Sequence, residues 1–424
     1  MSKLVNIGLL GLGTVGSGVF KSISEFDYIN IKSIAVGNIN KQRNIPGLSQ
    51  EILTDNPYKI VHDPEIDIVV EVIGGLNPAF ELIKEAIKNK KHVVTANKEL
   101  IAKHGKELFE LAKDNNVVIL YEAAVAGGIP IIMPIKTCLA GNKFNKIAGI
   151  LNGTTNFILT KMENEGAEFE AVLKEAQELG YAEANPSGDV QGHDAAYKIS
   201  ILASIAFNKR TDETKIYREG IDKISPIDIE YAKEFGYRIK LIALAKDTED
   251  GDVDVRVHPM LVSLKHPLAH INDVLNAIFL EGFPVGKVMF SGPGAGEFPT
   301  ASSVIGDILA IAAELPHTKY PLPMMRCRHE TPATHIDINQ TKNRYYIRIL
   351  TTNEPGVIGD LGMICGKYNI NLSSIVQKGI LENETARIVM LTEEALELNL
   401  NKAIEEISNL SSVKTIANVI RVMD

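Results

Sequence analysis

Glu183, Asp189, Asp194 and Lys198 are the side chains of this chain whose types and spacing most readily do chemistry. They lie in "YAEANPSGDVQGHDAAYK" (181–198), where the turn residues Asn-Pro-Ser-Gly run into helix-forming Ala-Ala-Tyr-Lys. Asp194 and Lys198 are spaced i,i+4 and share a helix face. On a solvated face such a pair contributes only about 0.3–0.5 kcal/mol. The neighbours argue for another setting, because Ala195, Ala196, Ile199, Leu202 and Ala203 make the start of this helix apolar. A lysine emerging there is partly desolvated, which lowers its pKa toward the working range of a general acid or base. His193 has no second histidine nearby and points about 100° away from Asp194 on a helix, so it reads as a helix-start residue rather than a metal ligand. A substrate-gripping acid with a lysine and a plain capped helix bearing an ion pair both remain open at this point.

Alternating strands and helices must position these groups. Leu4–Leu10 is a buried-strand run that continues as Gly11-Leu12-Gly13-Thr14-Val15-Gly16, a G-x-G-x-x-G between a strand and an apolar-periodic helix. Gly11 permits the tight turn, Gly13 lets the backbone approach a pyrophosphate, and Gly16 lets helix pack on strand. The free N–H groups of the helix start then face the phosphates. The glycines, and the lack of a small-x-small cleavage site, count against reading Leu4–Phe20 as a signal peptide or a spanning helix. Further apolar strands at 31–36, 67–75, 92–97 and 117–125 alternate with helices, which predicts a parallel sheet covered on both faces. The second strand ends Val36-Gly37-Asn38 without a carboxylate for a ribose 2′-hydroxyl, and Lys41 and Arg43 follow. That favours NADP over NAD, the alternative being an ordinary solvated loop. "TANK" (95–98) ends a strand where such sheets bind ligands, so Lys98 meets cofactor or substrate, or merely opens a surface helix.

At 424 residues and a net charge of −9 the chain supports two or three domains and shows no basic face for a nucleic-acid or acidic-membrane partner. Lys90, Lys91 and His92, the nearest approach to a basic cluster, read as a helix C-terminus favoured by the dipole. Cys138, Cys327 and Cys365 fit no disulfide or metal spacing, which implies a reducing, cytoplasmic setting. In "YEAAVAGGIPIIMP" (121–134) one carboxylate, Glu122, precedes a non-helical stretch with free carbonyls, a donor set that suits a weakly held cation such as sodium or else marks a simple hinge. The turn Asn152-Gly153-Thr154-Thr155-Asn156 either caps a helix or offers hydroxyls to a polar substrate.

Gly-Leu-Gly-Thr-Val-Gly at 11–16, "TANK" at 95–98, "YEAAVAGGIP" at 121–130, "LNGTTNFIL" at 151–159, "LGYAEANPSGDVQGHDAAYK" at 179–198 and "SGPGAGEFPTASSVIGDI" at 291–308 together resemble the homoserine dehydrogenase family. The resemblance implies NAD(P)-dependent interconversion of L-homoserine and L-aspartate 4-semialdehyde in threonine and methionine biosynthesis. It implies Lys198 as the acid/base lysine and Lys98 as a second active-site lysine. Glu183 and Asp194 would bind the substrate's ammonium, with Asp189 in support. Gly11, Gly13, Thr14, Val15, Gly16, Thr95, Lys98, Gly180 and Gly296 would lie along the cofactor. Glu122 with the carbonyls of Val125, Gly127 and Ile129 would form a monovalent-cation site, and a homodimer or tetramer is expected. The family often carries a basic residue directly after the second strand, where this chain has Gly37.

Beyond a Pro-punctuated linker at 321–342, the order βαββαβ over 343–424 predicts a ferredoxin-like module that resembles an ACT domain. Its ligand turn would be "TTNEPGVIG", with Asn353 in place of the usual acidic residue, and feedback by L-threonine is the hypothesis, against a pure dimerisation module. The expected architecture is α/β throughout: a Rossmann nucleotide-binding domain (1–134) to which a helix near 300–316 returns, an α+β catalytic and dimerisation domain (135–320), and the regulatory module. Two other functions remain open. Aldehyde oxidation would need Cys138 as nucleophile, and a non-catalytic NADP and amino-acid sensor would not require Lys198.

Overall fold

The computed structural model describes residues 4–248, 250–315, 317–318, 322–327, 329–381 and 385–423. Its first sheet comprises β1 (Val5–Leu10), β2 (Ile29–Ala35), β3 (Leu53–Thr54), β4 (Ile68–Glu71), β5 (His92–Thr95) and β6 (Ile119–Leu120). These strands are parallel and ordered β3-β2-β1-β4-β5-β6. Every residue of β4 and β5 is buried, as continuous apolar runs require when helices cover both faces. The strand order reverses between β1 and β4, so a crevice opens at their carboxyl ends, the place where open α/β sheets bind ligands. The strand β3 has only two residues and therefore no hydrophobic period to read. The helix Glu297–Glu314 returns to this domain and packs on Thr14–Ile23, with Lys21 paired to Glu297 at 2.6 Å.

The second sheet begins with Gly286–Pro293, Leu275–Phe283, Lys143–Ile150, Tyr237–Asp247 and Val253–Ser263, in that spatial order. The helix His193–Ala206 lies across Lys143–Ile150, Tyr237–Asp247 and Val253–Ser263. The sheet then runs without a break into the C-terminal module. Val253–Ser263 pairs in parallel with the last strand, Val413–Met423, through Met260–Arg421, Leu261–Val422 and Val262–Met423. From there the order is Val413–Met423, Lys342–Thr352, Thr385–Thr392 and Leu372–Leu381, with helices Val357–Lys367 and Glu397–Ser408, which is the ferredoxin-like βαββαβ arrangement.

A buried polar network reinforces this junction. Asp228 accepts from Arg348 (Nε 2.7 Å, Nη2 3.0 Å), Tyr346 (3.1 Å) and Asn418 (3.0 Å). Arg421 joins Glu397 (Nε 2.9 Å) to Glu219 (3.0 and 3.1 Å). The stretch before the module is held to the catalytic body by backbone bonds between Arg210 and Thr331 (2.7 Å), Ala333 and Arg210 (2.8 Å), and Val253 and Thr334 (2.8 Å). Among the described residues no helix is long and apolar enough to cross a membrane.

Of the basic triplet after the helix Ala79–Lys88, only Lys90 is exposed. That helix ends at Lys88, and Lys91 and His92 are buried. Lys91 donates to the carbonyls of Asp63 and Ile66, and His92 Nδ1 accepts the Val118 N–H at 3.2 Å. The reading of all three as a helix C-terminus is corrected, since the helix ends at Lys88 and His92 opens β5, as the strand expected at 92–97 requires. Burial pushes His92 down to about 4 and His329 down to about 3, from an ordinary 6.5. Such histidines stay neutral in the fold but take up a proton when unfolded, so the stability they allow is present above pH 6.5 and is lost as pH falls toward 4. Thermal stability should therefore decline over that window, and His92→Asn, which keeps an acceptor and removes the titration, should make the decline shallower.

Candidate active site

The apolar start of the helix His193–Ala206 sets both Asp194 and Lys198 in the interior, each 8% exposed. Lys198 Nζ donates to Asp194 Oδ2 and to the Leu151 carbonyl, both at 2.7 Å. From the nucleotide domain, Lys98 opens the helix Lys98–Asn115 and reaches Asp194 Oδ1 at 2.6 Å. One carboxylate thus holds two ammonium groups from two domains.

The two lysines are driven apart in acidity. Asp194 raises Lys98, whose side chain keeps 43% of its surface open. Burial lowers Lys198, and Asp194 only partly opposes that. Burial alone would raise Asp194, but the two ammonium groups outweigh it and hold its carboxyl well below the usual range. Paired groups pushed in opposite directions are the mark of a divided acid/base task.

Asn152 ends the strand Lys143–Ile150 by capping the helix Gly153–Glu165, its Oδ1 accepting from Thr155 N at 2.9 Å. Its Nδ2 donates to Asp189 Oδ1 (2.7 Å) and Asp194 Oδ2 (3.0 Å). Asp189 is half-buried, and burial raises it against the pull of Asn152. Glu183 is exposed and acts on Lys98 through its charge. His193 is exposed, and among the described residues no group of three or more His, Cys, Asp or Glu side chains could hold a metal ion. Cys138 is an exposed thiol donating to the Pro134 carbonyl at 3.6 Å, a helix-end contact without base activation.

The crevice of the first sheet suits a dinucleotide. Gly11 has φ +106°, and a Cβ on Gly16 would lie 2.3 Å from the Gly11 carbonyl, so neither position tolerates a side chain. Nothing lies within 4 Å of where a Gly13 Cβ would be, and no side chain caps the helix Thr14–Ile23 that follows. Its first N–H groups, at Thr14, Val15 and Gly16, are thereby left to an anion. Gly296 precedes the N-terminus of the helix packed alongside, and Gly180 lies exposed before the acidic turn.

Fully buried Glu71 braces the carboxyl ends of β4 and β5. It accepts from Ile73 N (2.8 Å), Gly74 N (3.0 Å) and Thr95 Oγ1 (2.6 Å). Thr95 Oγ1 accepts from Asn97 N at 3.0 Å, and Asn97 caps the helix carrying Lys98. Glu71 did not stand out in the sequence, because a carboxylate ending a strand is ordinary until its partners are known. The turn at 152–156 did, and Asn152 caps the helix as one of its two readings expects, while its bridge between Asp189 and Asp194 carries no local signal.

Glu122 accepts from the backbone N–H groups of Ile131, Ile132 (2.7 Å) and Met133 (2.6 Å), while its own N–H donates to Asp307 (2.8 Å). Ser303 donates to the Gly127 carbonyl at 2.7 Å, and Val125, Gly127 and Ile129 are all buried. Burial raises Glu122, and burial followed by the Glu122 charge raises Asp307, whose Oδ1 has no donor. Two buried carboxyl groups, one with the orphaned Asp307 Oδ1, beside the carbonyls of this turn make a donor set of the type that could hold a hard monovalent cation.

A profile described as homoserine dehydrogenase matches residues 130–309, and one described as homoserine dehydrogenase, NAD binding domain matches 11–122. A homoserine dehydrogenase of Synechocystis sp. is 46% identical over 99% of either chain. This chain belongs to the homoserine dehydrogenase family. Residues 345–412 match the ACT domain. The crystal structure of a homoserine dehydrogenase from Thiobacillus denitrificans superposes with a TM-score of 0.93 at 40% identity, covering 99% of this chain and 98% of that one. A hyperthermophilic archaeal homoserine dehydrogenase in complex with NADPH covers 74% of this chain and 98% of its own, with a TM-score of 0.63 at 30% identity. The chain is accordingly an oxidoreductase with a NAD(P)-binding Rossmann domain, a second sheet domain and a C-terminal ACT domain.

Removing Asp194 strands a buried ammonium. Asp194→Ala should cost about 3 kcal/mol or more in urea unfolding, and Asp194→Ala combined with Lys198→Met should recover most of that loss.

Proposed function

We propose that the pocket around Asp194 interconverts L-homoserine and L-aspartate 4-semialdehyde, with Lys198 moving the proton. The observation that carries this is one carboxylate shared by a lysine that burial disposes to lose its proton and a lysine that Asp194 holds charged. A bound nicotinamide supplies the hydride acceptor in one direction and the donor in the other. In oxidation, neutral Lys198 takes the hydroxyl proton as the C–H bond gives up hydride. In reduction, its ammonium returns that proton to the aldehyde oxygen. Leu151 and Asp194 use two of the three Lys198 N–H directions, leaving the third for the substrate oxygen. Glu183 and Asp194, with Asp189 beside them, make the acidic wall that selects an α-ammonium group. Lys98 remains a fixed cation that neutralises Asp194 at the domain boundary.

Gly11, Gly13, Thr14, Val15 and Gly16 would cradle the pyrophosphate, with Thr95, Gly180 and Gly296 along the rest of the cofactor. NADP is the favoured dinucleotide. Arg43 donates to the carbonyls of Asn38 (2.8 Å) and Lys41 (2.9 Å), which keeps its guanidinium in the loop after β2, where a 2′-phosphate would lie. Sodium would be held by Glu122 and the carbonyls of Val125, Gly127 and Ile129, adding to the positive charge of Lys136 nearby. The ACT domain would take L-threonine as feedback effector at 351–359, where Gln377 donates to Asn353 at 3.3 Å. A homodimer or tetramer in the cytoplasm completes the reading, with three free cysteines in keeping with a reducing compartment.

The test is nicotinamide reduction by L-homoserine with NADP and NAD in parallel. Lys198→Ala should lower kcat by about 10²–10⁴-fold while dinucleotide binding persists. Equal turnover in the variant would remove Lys198 from the chemistry.

A further inference from the structure

Asp189 and Asp194 lie together where an ammonium group must be received, and carboxylates so placed repel one another. Asn152, 5% exposed, is the neutral group between them. Its Nδ2 gives one hydrogen to Asp189 Oδ1 at 2.7 Å and the other to Asp194 Oδ2 at 3.0 Å. Its Oδ1 accepts from the N–H and the hydroxyl of Thr155, each at 2.9 Å. The amide therefore cannot turn over, because reversal would set its oxygen against two carboxylates and its NH₂ against the Thr155 N–H.

Asp194 Oδ2, the oxygen Asn152 binds, is also the one that binds Lys198. The carbonyl of the preceding residue, Leu151, binds Lys198 as well. Residues 151 and 152 thus hold both ends of the Lys198–Asp194 pair.

We propose that Asn152 is a positioning residue that sets the proton affinity of Lys198. It shares Asp194 Oδ2 with the lysine and keeps Asp189 apart as a second anion. The charged groups around Lys198 are Asp194 and Asp189 from the acidic turn and its helix, and Lys98 from the nucleotide domain. Withdrawing the Asn152 N–H leaves the charge of Asp194 Oδ2 to Lys198 alone, which favours the ammonium. A carboxylate at 152 favours it further. The inference rests on Lys198 as the proton carrier proposed above.

Asn152→Ser and Asn152→Asp are the decisive variants, because serine and aspartate cap helices as well as asparagine does. Two readouts apply to the whole chain: the pH profile of kcat for homoserine oxidation, and the titration of the Lys198 side-chain nitrogen by 15N NMR, assigned with Lys198→Met. The expected result is that the Lys198 titration and the rising kcat limb both move to higher pH, by about one pH for Asn152→Asp and by less for Asn152→Ser. A Lys198 titration unmoved in both variants would overturn the proposal. A wild-type protein that leaves homoserine untouched, with the Lys198 titration still shifting, would overturn the activity reading and uphold this one. A purely capping role predicts no shift in either readout.

Discussion

The ion triad Lys98–Asp194–Lys198 is the interaction on which the arrangement depends. Asp194 is buried, and an isolated carboxylate there would be driven to take up a proton. Two ammonium groups keep it ionised, and one of them belongs to the other domain. The charge that orders the pocket is therefore complete only when the nucleotide domain and the catalytic domain stand in register. This ties the electrostatics around Lys198 to a lysine carried by the nucleotide domain.

Both domains invest backbone geometry in that register. On one side, Glu71 fixes the carboxyl ends of β4 and β5 and, through Thr95 and Asn97, the first turn of the helix that carries Lys98. On the other, Asn152 converts a strand end into a helix cap and a bridge between carboxylates. The C-terminal module is not hung on a loose tether, because its last strand pairs with the catalytic sheet and its charged side chains are buried against Asp228 and Glu219. Two residues after Glu219, the Ile221 N–H donates to the Val190 carbonyl at the base of the acidic turn. Strand pairing and hydrogen bonds thus connect the ACT domain to the acidic turn.

The parts legible in the sequence were those with a strong local signal. The G-x-G-x-x-G turn and the apolar strands of the first sheet are written in neighbouring residues, and so is the βαββαβ order of the C-terminal module. The Asp194–Lys198 pair was legible because its i,i+4 spacing coincides with an apolar helix face. Long-range facts were not. That Lys98 meets Asp194, that Asn152 bridges two acids, and that Val253–Ser263 accepts the final strand depend on tertiary pairings that no local period encodes. Lys91 and His92 show the limit of a local reading: as a helix C-terminus they lie past the observed end at Lys88, and Lys91 is buried by carbonyl partners at Asp63 and Ile66 that no local pattern reveals.

The most direct measurement is the pH dependence of wild-type turnover in both directions. If Asp194 leaves Lys198 as the group that exchanges the proton, homoserine oxidation rises and semialdehyde reduction falls along one shared limb. Its midpoint lies below the ordinary lysine value of 10.5. Limbs that do not coincide, or a midpoint at or above that value, would contradict the assignment of Lys198.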